Sequence, residues 1–378
     1  MKKYIKPTVK LAHNIIKNED GDLCIGELPG LAQIIESPPD WVLVALEKMD
    51  GRHTPARILK ELRARGHTVD EDDLDSFIDM LDRYRLLEDG SLVSEILSTS
   101  EMERYDRQIL QFSLFDGRRQ PGFRYQEALR RSRAAILGLG GWGTWICLQL
   151  SLLGIGNLRI VDGDTVELSN LNRQVLYTKD DIGTSKVRAA KNRVQAINPH
   201  VSVEIYDEFV TRREERMAEL LDKVDMIVLA WASLGYYRQD TVEELVHAYA
   251  EQNSIPLIEL GGDPVDISVG PIYPYNHVND LAYGRQSDSQ KESYYSSDPK
   301  TRAFQLARMK QNFHNGNRTV NAWQSTPSLA TMSGIVADQV VKMISGYDAP
   351  FLIGKRFHMS MVNFETRIEH IFDERAEG

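Results

Sequence analysis

The sequence predicts an α/β protein: a mainly parallel sheet covered by helices in the larger C-terminal part, and a small α+β module in front of it. Three observations predict this. From residue 134 onward, short apolar runs alternate with amphipathic stretches in βα order, the pattern of a parallel sheet with helices on both faces. The first strand-to-helix junction reads "GLGGWG", placing Gly138, Gly140 and Gly143 in G-x-G-x-x-G spacing. The first hundred residues read instead as a hairpin followed by three helices, a winged-helix-like plan.

In the front module, assigned to residues 1–97, "TVKLAHNI" and "DLCIGEL" are short, β-leaning and separated by the turn cluster "NEDGD". That arrangement predicts a hairpin. "PPDWVLVALEKMDG" opens on Pro and Asp and closes on Gly, the start and stop signals of a helix. "HTPARILKELRARG" repeats the layout, with Thr54 as cap and Pro55 at the first helical position. "DEDDLDSFIDMLDRYRLLEDGS" sets Leu74, Phe77, Ile78, Leu81 and Leu86 on one stripe of a third helix. Residues 98–133 read as a polar linker with short helical pieces, and "RRSR" at 130–133 as a solvated face.

The remainder, 134–378, is read in order as follows. "AAILGLG" is a strand, "GWGTWICLQLSLLG" a helix and "NLRIVDGD" a strand. "SKVRAAKNRVQAIN" is a helix and "VSVEIYDEFV" a strand; "REERMAELLDKV" is a helix and "DMIVLAWA" a strand; "DTVEELVHAYAEQN" is a helix and "IPLIELGG" a strand. Residues 276–325 are polar and weakly periodic and read as a crossover or lid. "PSLATMSGIVADQVVKMISG" is a helix and "KRFHMSMVNFETRIEHI" a closing β segment.

The net charge of −10 argues against broad nucleic-acid or anionic-membrane binding, which needs a basic face. The most apolar stretch, "WICLQLSLLGIG", is too short to span a bilayer, and the N-terminus has no signal-peptide core. A cytoplasmic protein is expected. Cys24 and Cys147 form no C-x-x-C pair, which excludes a four-cysteine zinc site and predicts no zinc. Cys147, inside an apolar helix, reads as a packing residue.

A lone G-x-G-x-x-G is weak evidence, but here it follows a strand and opens a helix, the context a phosphate loop requires. Glycines let the backbone approach a phosphate, and the helix N-terminus offers free N–H groups. Asp162 lies 19 residues past Gly143, where a carboxylate accepts ribose hydroxyls. On these features alone a nicotinamide enzyme stays in play. Asn170, Arg173 and Lys186, packed into the next short region, decide against it. A planar guanidinium fork and an ammonium point charge suit a triphosphate.

At these residues the chain resembles the E1-like superfamily (ThiF, MoeB, HesA and relatives). "GLGGWG", "VDGDTVELSNLNRQ", "GTSKVRAAK" and "INPH" match in order and spacing, from Arg104 to about Glu365. The resemblance implies a Rossmann-like adenylation domain that activates a carboxylate with ATP and magnesium, giving an acyl adenylate and pyrophosphate. It implies that Gly138, Gly140, Gly141 and Gly143 cradle phosphates and that Asp162 holds the ribose. Asp164, Asn170 and Gln174 join the nucleotide contacts, while Arg173 and Lys186 clamp the phosphates. "RYDRQ" at 104–108 matches the family's upstream arginine motif, which implies a homodimer in which Arg107 reaches the partner's site. Two departures stand out. The chain has neither paired zinc cysteines nor a thioester cysteine. Where the family carries a magnesium-binding Asp, this chain has Ala232, followed by Ser233; Asp263 is the substitute offered, with Asp164 and Asp240 as others.

The front module resembles the PqqD-like element that recognises precursor peptides; its bland alternative is a helical cap. The resemblance implies that residues 1–97 accept a leader peptide by strand addition. The two parts together resemble enzymes of peptide-antibiotic biosynthesis. The pantocin A type is preferred, in which a glutamate side-chain carboxylate is activated for dehydrative ring closure. Adenylation of a peptide C-terminus, of the microcin C7 type, is the alternative. A catalytically inactive escort and an activator of sulfur-carrier tails are further rivals: the missing Asp at 232 favours the escort, and Arg107, Arg173 and Lys186 favour an enzyme. Trp142 and His200 read as structural, and Tyr294 and Tyr295 as lid residues within reach of a peptide.

Overall fold

The computed structural model describes residues 4–116, 118–211, 213–230, 242–262, 265–275, 298–310, 314–315, 318–319 and 324–371. Ala232, Ser233, Asp240, Asp263, Tyr294, Tyr295 and most of the 276–325 crossover lie outside them. The chain divides into two units, Met1–Ala128 with Ser345–Ala349, and Leu129–Ile344 with Pro350–Gly378.

The first unit begins with strands β1 (Pro7–Val9), β2 (Ile15–Lys17), β3 (Leu23–Ile25) and β4 (Gln33–Ile35) and helices α1 (Trp41–Lys48), α2 (Pro55–Ala64) and α3 (Glu71–Arg83). Strand β5 (Leu87–Asp89) and helices α4 (Thr99–Arg104), α5 (Asp106–Phe115) and α6 (Gly122–Arg131) follow. The hairpin forms around "NEDGD", with Ile15 opposite Ile25 and Lys17 opposite Leu23. Its first arm is shorter than expected. "TVKLAHNI" splits: Val9 pairs with Leu87 of β5 instead, and the chain turns before β2. Thr54 caps α2 by accepting the Arg57 N–H at 3.3 Å. At α3, Asp70 and Asp73 form a reciprocal capping box. Leu74, Phe77, Ile78 and Leu81 are buried as the stripe predicts. Leu86 is buried too, but beyond the helix, which stops at Arg83 before Arg85 adopts a φ of 59°.

Residues 98–128 are helical and pack within this unit. The buried Lys10 Nζ, from just past β1, donates to Ser113 O at 2.9 Å and to Asp116 Oδ2 at 2.7 Å at the end of α5. Tyr125 of α6 donates to the other oxygen of Asp116 at 2.8 Å. Tyr347, contributed by the returning segment, stacks obliquely on Phe112 with ring centroids 4.6 Å apart.

The second unit carries β6 (Arg133–Leu137), α7 (Gly141–Leu153), β7 (Asn157–Val161), α8 (Lys186–Ile197), β8 (Ser202–Tyr206), α9 (Glu214–Leu221), β9 (Met226–Leu229), α10 (Val242–Gln252) and β10 (Leu257–Gly262). Then come β11 (Asp266–Tyr273), α12 (Pro299–Lys310), β12 (His314–Asn315), β13 (Arg318–Thr319), α13 (Thr326–Ser345), β14 (Lys355–Ser360) and β15 (Thr366–His370). The large sheet runs β15-β14-β11-β10-β9-β6-β7-β8. It is parallel from β10 through β8 and antiparallel from β10 out to β15. The inner parallel strands β7, β6, β9 and β10 are largely apolar and buried, as strands covered on both faces are; residues of β6 and β9 such as Ala135, Leu137, Ile227 and Leu229 lie in one buried cluster with α9 and α10. Helix α7 ends on Gly154 at φ 82°, the left-handed stop that glycine allows. Strand β11 was not expected: Gly270 and Pro271 interrupt its apolar run. Arg133 is partly exposed. It opens β6, where its backbone N–H donates to Asp225 at 2.8 Å and its Nε to Asn157 at 3.2 Å. Among the described residues no helix is long and apolar enough to cross a membrane.

Candidate functional site

The site lies where β6 and β7 end and α7 and α8 begin. The three spaced glycines have three physical reasons. Gly138 adopts φ 96°, which turns the chain out of β6. A Cβ on Gly140 would meet nothing within 4 Å, so this position opens onto free space at the helix N-terminus. A Cβ on Gly143 would lie 1.9 Å from Gly138 O, so the helix seats against the loop only with glycine there. Gly141 is less tightly seated, against side chains only: its Cβ would lie 2.7 Å from Gln324 Oε1 and from Leu329 Cδ1. The N–H groups of the first turn of α7 have no carbonyl partner within the helix and carry its positive end.

Two short polar chains bring the expected cations to this loop. In the first, Lys186, the first residue of α8, is 5 % exposed and its Nζ donates to Asp164 Oδ2 at 2.8 Å. The Asp164 N–H donates to Asp162 Oδ1 at 2.9 Å, and Asp162 Oδ2 accepts the Leu139 N–H of the glycine loop at 2.6 Å. In the second, Arg173 Nε donates to Gln324 Oε1 at 2.9 Å, the same atom that borders Gly141. Arg173 Nη1 donates to Ser169 O at 2.7 Å, and its own carbonyl accepts Trp145 Nε1 at 3.1 Å. Asn170 is buried and its Oδ1 accepts the Glu167 N–H at 3.0 Å, which shapes the segment that carries Arg173. Gln174 is buried with its Oε1 lacking a hydrogen-bond partner, an arrangement that costs about 1–3 kcal/mol until a donor satisfies it.

Three residues of the site escaped sequence reasoning. Tyr177 donates to Leu139 O at 3.0 Å from beneath the loop; burial, and secondly the charge of Asp162, push its hydroxyl well above the usual tyrosine range. Gln324 and Trp145 hold Arg173. Only the location of Trp145 within the glycine-loop helix offered a signal for any of them. Arg107 sits in the first unit, exposed on α5, with its Nε 3.7 Å from Asp106 Oδ2. Cys147 is fully buried, and burial pushes its thiol up to about 12, which suits packing and not thiolate chemistry. Trp142 is buried as read. Among the described residues no three His, Cys, Asp or Glu side chains gather into a cation site.

Comparison with known proteins places the fold. Residues 12–71 match the model of the PaaA-like N-terminal domain. A crystal structure of PaaA is similar over 96 % of this chain and 99 % of its own, with 47 % identity and a TM-score of 0.77. Escherichia coli MccB, crystallised with MccA-N7isoASN, shares the fold over 97 % of this chain and 96 % of its own at 19 % identity, with a TM-score of 0.71. The molybdopterin-synthase adenylyltransferase of Haemophilus influenzae is 40 % identical over 133 residues, 35 % of this chain and 51 % of that protein. The chain thus spans about half the length of the curated relatives it matches. Residues 105–377, most of the chain and every residue of the site just described, match the ThiF family model, and the chain belongs to the ThiF family.

Proposed function

We propose that this protein is an ATP-dependent enzyme that activates a carboxylate of a ribosomally made precursor peptide. The carboxylate is the side chain of a glutamate, and the outcome is ring closure with net loss of water. The observation that carries this reading is the pair of polar chains linking Lys186 and Arg173 to one glycine loop. Such a donor set fits a triphosphate: open backbone at Gly140, a carboxylate with remaining lone pairs at Asp162, and two cations. ATP turns a carboxylate oxygen into a leaving group, a step unfavourable in water alone. Lys186 and Arg173 hold and neutralise the phosphates, Asp162 orients the ribose, and Asn170 keeps the Arg173 segment in shape. Gln174 supplies an acceptor for a bound donor. Magnesium accompanies the nucleotide in this reading; Asp263, the ligand the sequence offers, lies outside the described residues, and no step is assigned to the metal.

The remaining parts of the reading concern partners. Residues 1–97 hold the leader by strand addition, consistent with the likeness to PaaA and with the MccA peptides in the MccB structures. The enzyme works as a homodimer in which Arg107 acts on the partner's nucleotide, and its place is the cytoplasm. The test is mass spectrometry of a precursor peptide with adjacent glutamates after incubation with the protein, ATP and magnesium. Loss of one water supports ring closure. Gain of AMP at the C-terminus replaces it with terminal adenylation, and an unchanged peptide with ATP intact leaves the escort reading in its place.

A further inference from the structure

We propose that Gln324 is a positioning residue that aims the Arg173 guanidinium at the nucleotide's phosphates while leaving its charge unspent. The assignment rests on the nucleotide reading above and adds a residue to it. Arg173 is half-buried. Its Nε donates to Gln324 Oε1 at 2.9 Å, and its Nη1 to Ser169 O at 2.7 Å and to Asn172 Oδ1 at 3.2 Å. All three acceptors are neutral, and among the described residues no carboxylate lies within ion-pair distance of this guanidinium. Elsewhere in the same unit arginines lie on carboxylates, Arg159 on Glu204 at 2.8 Å and Arg216 on Glu208 at 2.6 Å. Lys186, the other cation of the site, shares its charge with Asp164.

The neutrality of the acceptor decides what the guanidinium can do. A carboxylate grips an arginine in a charge-assisted pair, and a phosphate has to break that pair before it gains anything. A neutral oxygen fixes the plane of the fork without cancelling its charge. Gln324 is placed for this task. It belongs to the short segment that enters α13, and that segment is bonded to the Arg173 loop twice, since Thr326 Oγ1 also donates to Asn172 O. The same Oε1 that accepts from Arg173 lies against Gly141, the first residue of α7. The amide therefore touches both the cation and the phosphate loop. Glutamate has the same shape as glutamine, so shape alone does not favour the amide here; a carboxylate would occupy the guanidinium that the phosphates need.

Equilibrium binding of ATP to the full chain, read beside thermal melts, tests the assignment. Gln324→Glu is expected to weaken ATP about tenfold or more, the scale of one hydrogen bond to a charged group. Its melting temperature should hold or rise, because the new carboxylate pairs with Arg173. Gln324→Met keeps the length and drops the acceptor, and should weaken ATP less than Gln324→Glu does. In an Arg173→Ala background Gln324→Glu should cost far less ATP affinity, because its target is gone. Unchanged ATP binding by Gln324→Glu overturns the proposal, as does a loss of affinity that merely follows a falling melting temperature. A Gln324→Met variant at least as weak as Gln324→Glu overturns it too. An equal loss in the Arg173→Ala background does the same, since that marks plain repulsion of the triphosphate. Wild-type ATP affinity in Arg173→Ala sinks the phosphate reading of Arg173 itself, and this assignment with it.

Discussion

At Lys186 a buried ammonium is held by a half-exposed carboxylate, Asp164. A ligand with more negative charge competes for that ammonium without having to move it. Lys186→Ala is therefore expected to lower ATP turnover by about a hundredfold or more, the usual scale for losing a preorganised transition-state contact, while leader-peptide affinity stays unchanged. A turnover assay paired with peptide binding checks both halves. Gly143→Ala acts through sterics: its new methyl would collide with Gly138 O, an overpacking worth about 1–3 kcal/mol. Chemical denaturation should show a lower midpoint, and ATP binding should weaken with it. Among the residues, those with a motif around them were legible in advance: the glycines, Asp162, Asn170, Arg173 and Lys186. Gln324 was not, because its partner Arg173 lies 151 positions away in sequence, and no local pattern encodes such a meeting.

Elements were legible where one period dominates. The three front helices announce themselves by caps and by a stripe, and the βα alternation delivers the parallel half of the sheet. The failures share a cause. Strands of three residues, such as β1, carry too little alternation to reveal whether they pair with the next strand or with one eighty residues on. The pairing of β1 with β5 is held at one end by a single side chain. Asp89 at the end of β5 accepts the N–H groups of Ile5 at 2.8 Å and Lys6 at 3.1 Å, and that of Ser91 at 2.9 Å. Burial works against its charge, but these donors together outweigh burial and hold the carboxyl below its usual 3.8. Because the folded value is the lower one, its contribution to stability is complete above that ordinary value and is lost as pH falls through the folded one. Thermal melts of the wild type should therefore steepen their loss below about pH 4. Asp89→Asn should start from a lower melting temperature and show a flatter slope in that window. A variant with the wild-type slope would remove Asp89 from the account.

For the molecule as a whole, the cysteines give a simple check on burial. Under native conditions a thiol reagent should modify the half-buried Cys24 and leave Cys147 untouched until the protein unfolds, as read by peptide mass mapping. Removal of residues 1–97 is expected to weaken leader binding far more than ATP binding. It also removes Lys10 and leaves Asp116 buried without its cation, a loss of about 3–5 kcal/mol by the usual measure of a broken buried pair. Lys10→Met in the full chain isolates that effect: its melting temperature should fall, and its ATP affinity should match the wild type. Sedimentation of the intact protein reads the dimer directly; a monomer that turns over ATP at full rate would remove Arg107 from the mechanism.

The segment Ser345–Ala349 belongs with the N-terminal residues although it lies some 220 positions downstream of them. The polypeptide consequently crosses between units at 128/129, 344/345 and 349/350. An engineer replacing residues 1–128 with a foreign recognition module through a single splice would leave Tyr347 without the Phe112 ring it stacks on. A faithful chimaera has to transplant the five-residue return loop together with the front piece, and designs that ignore it should express poorly even when every junction residue is compatible.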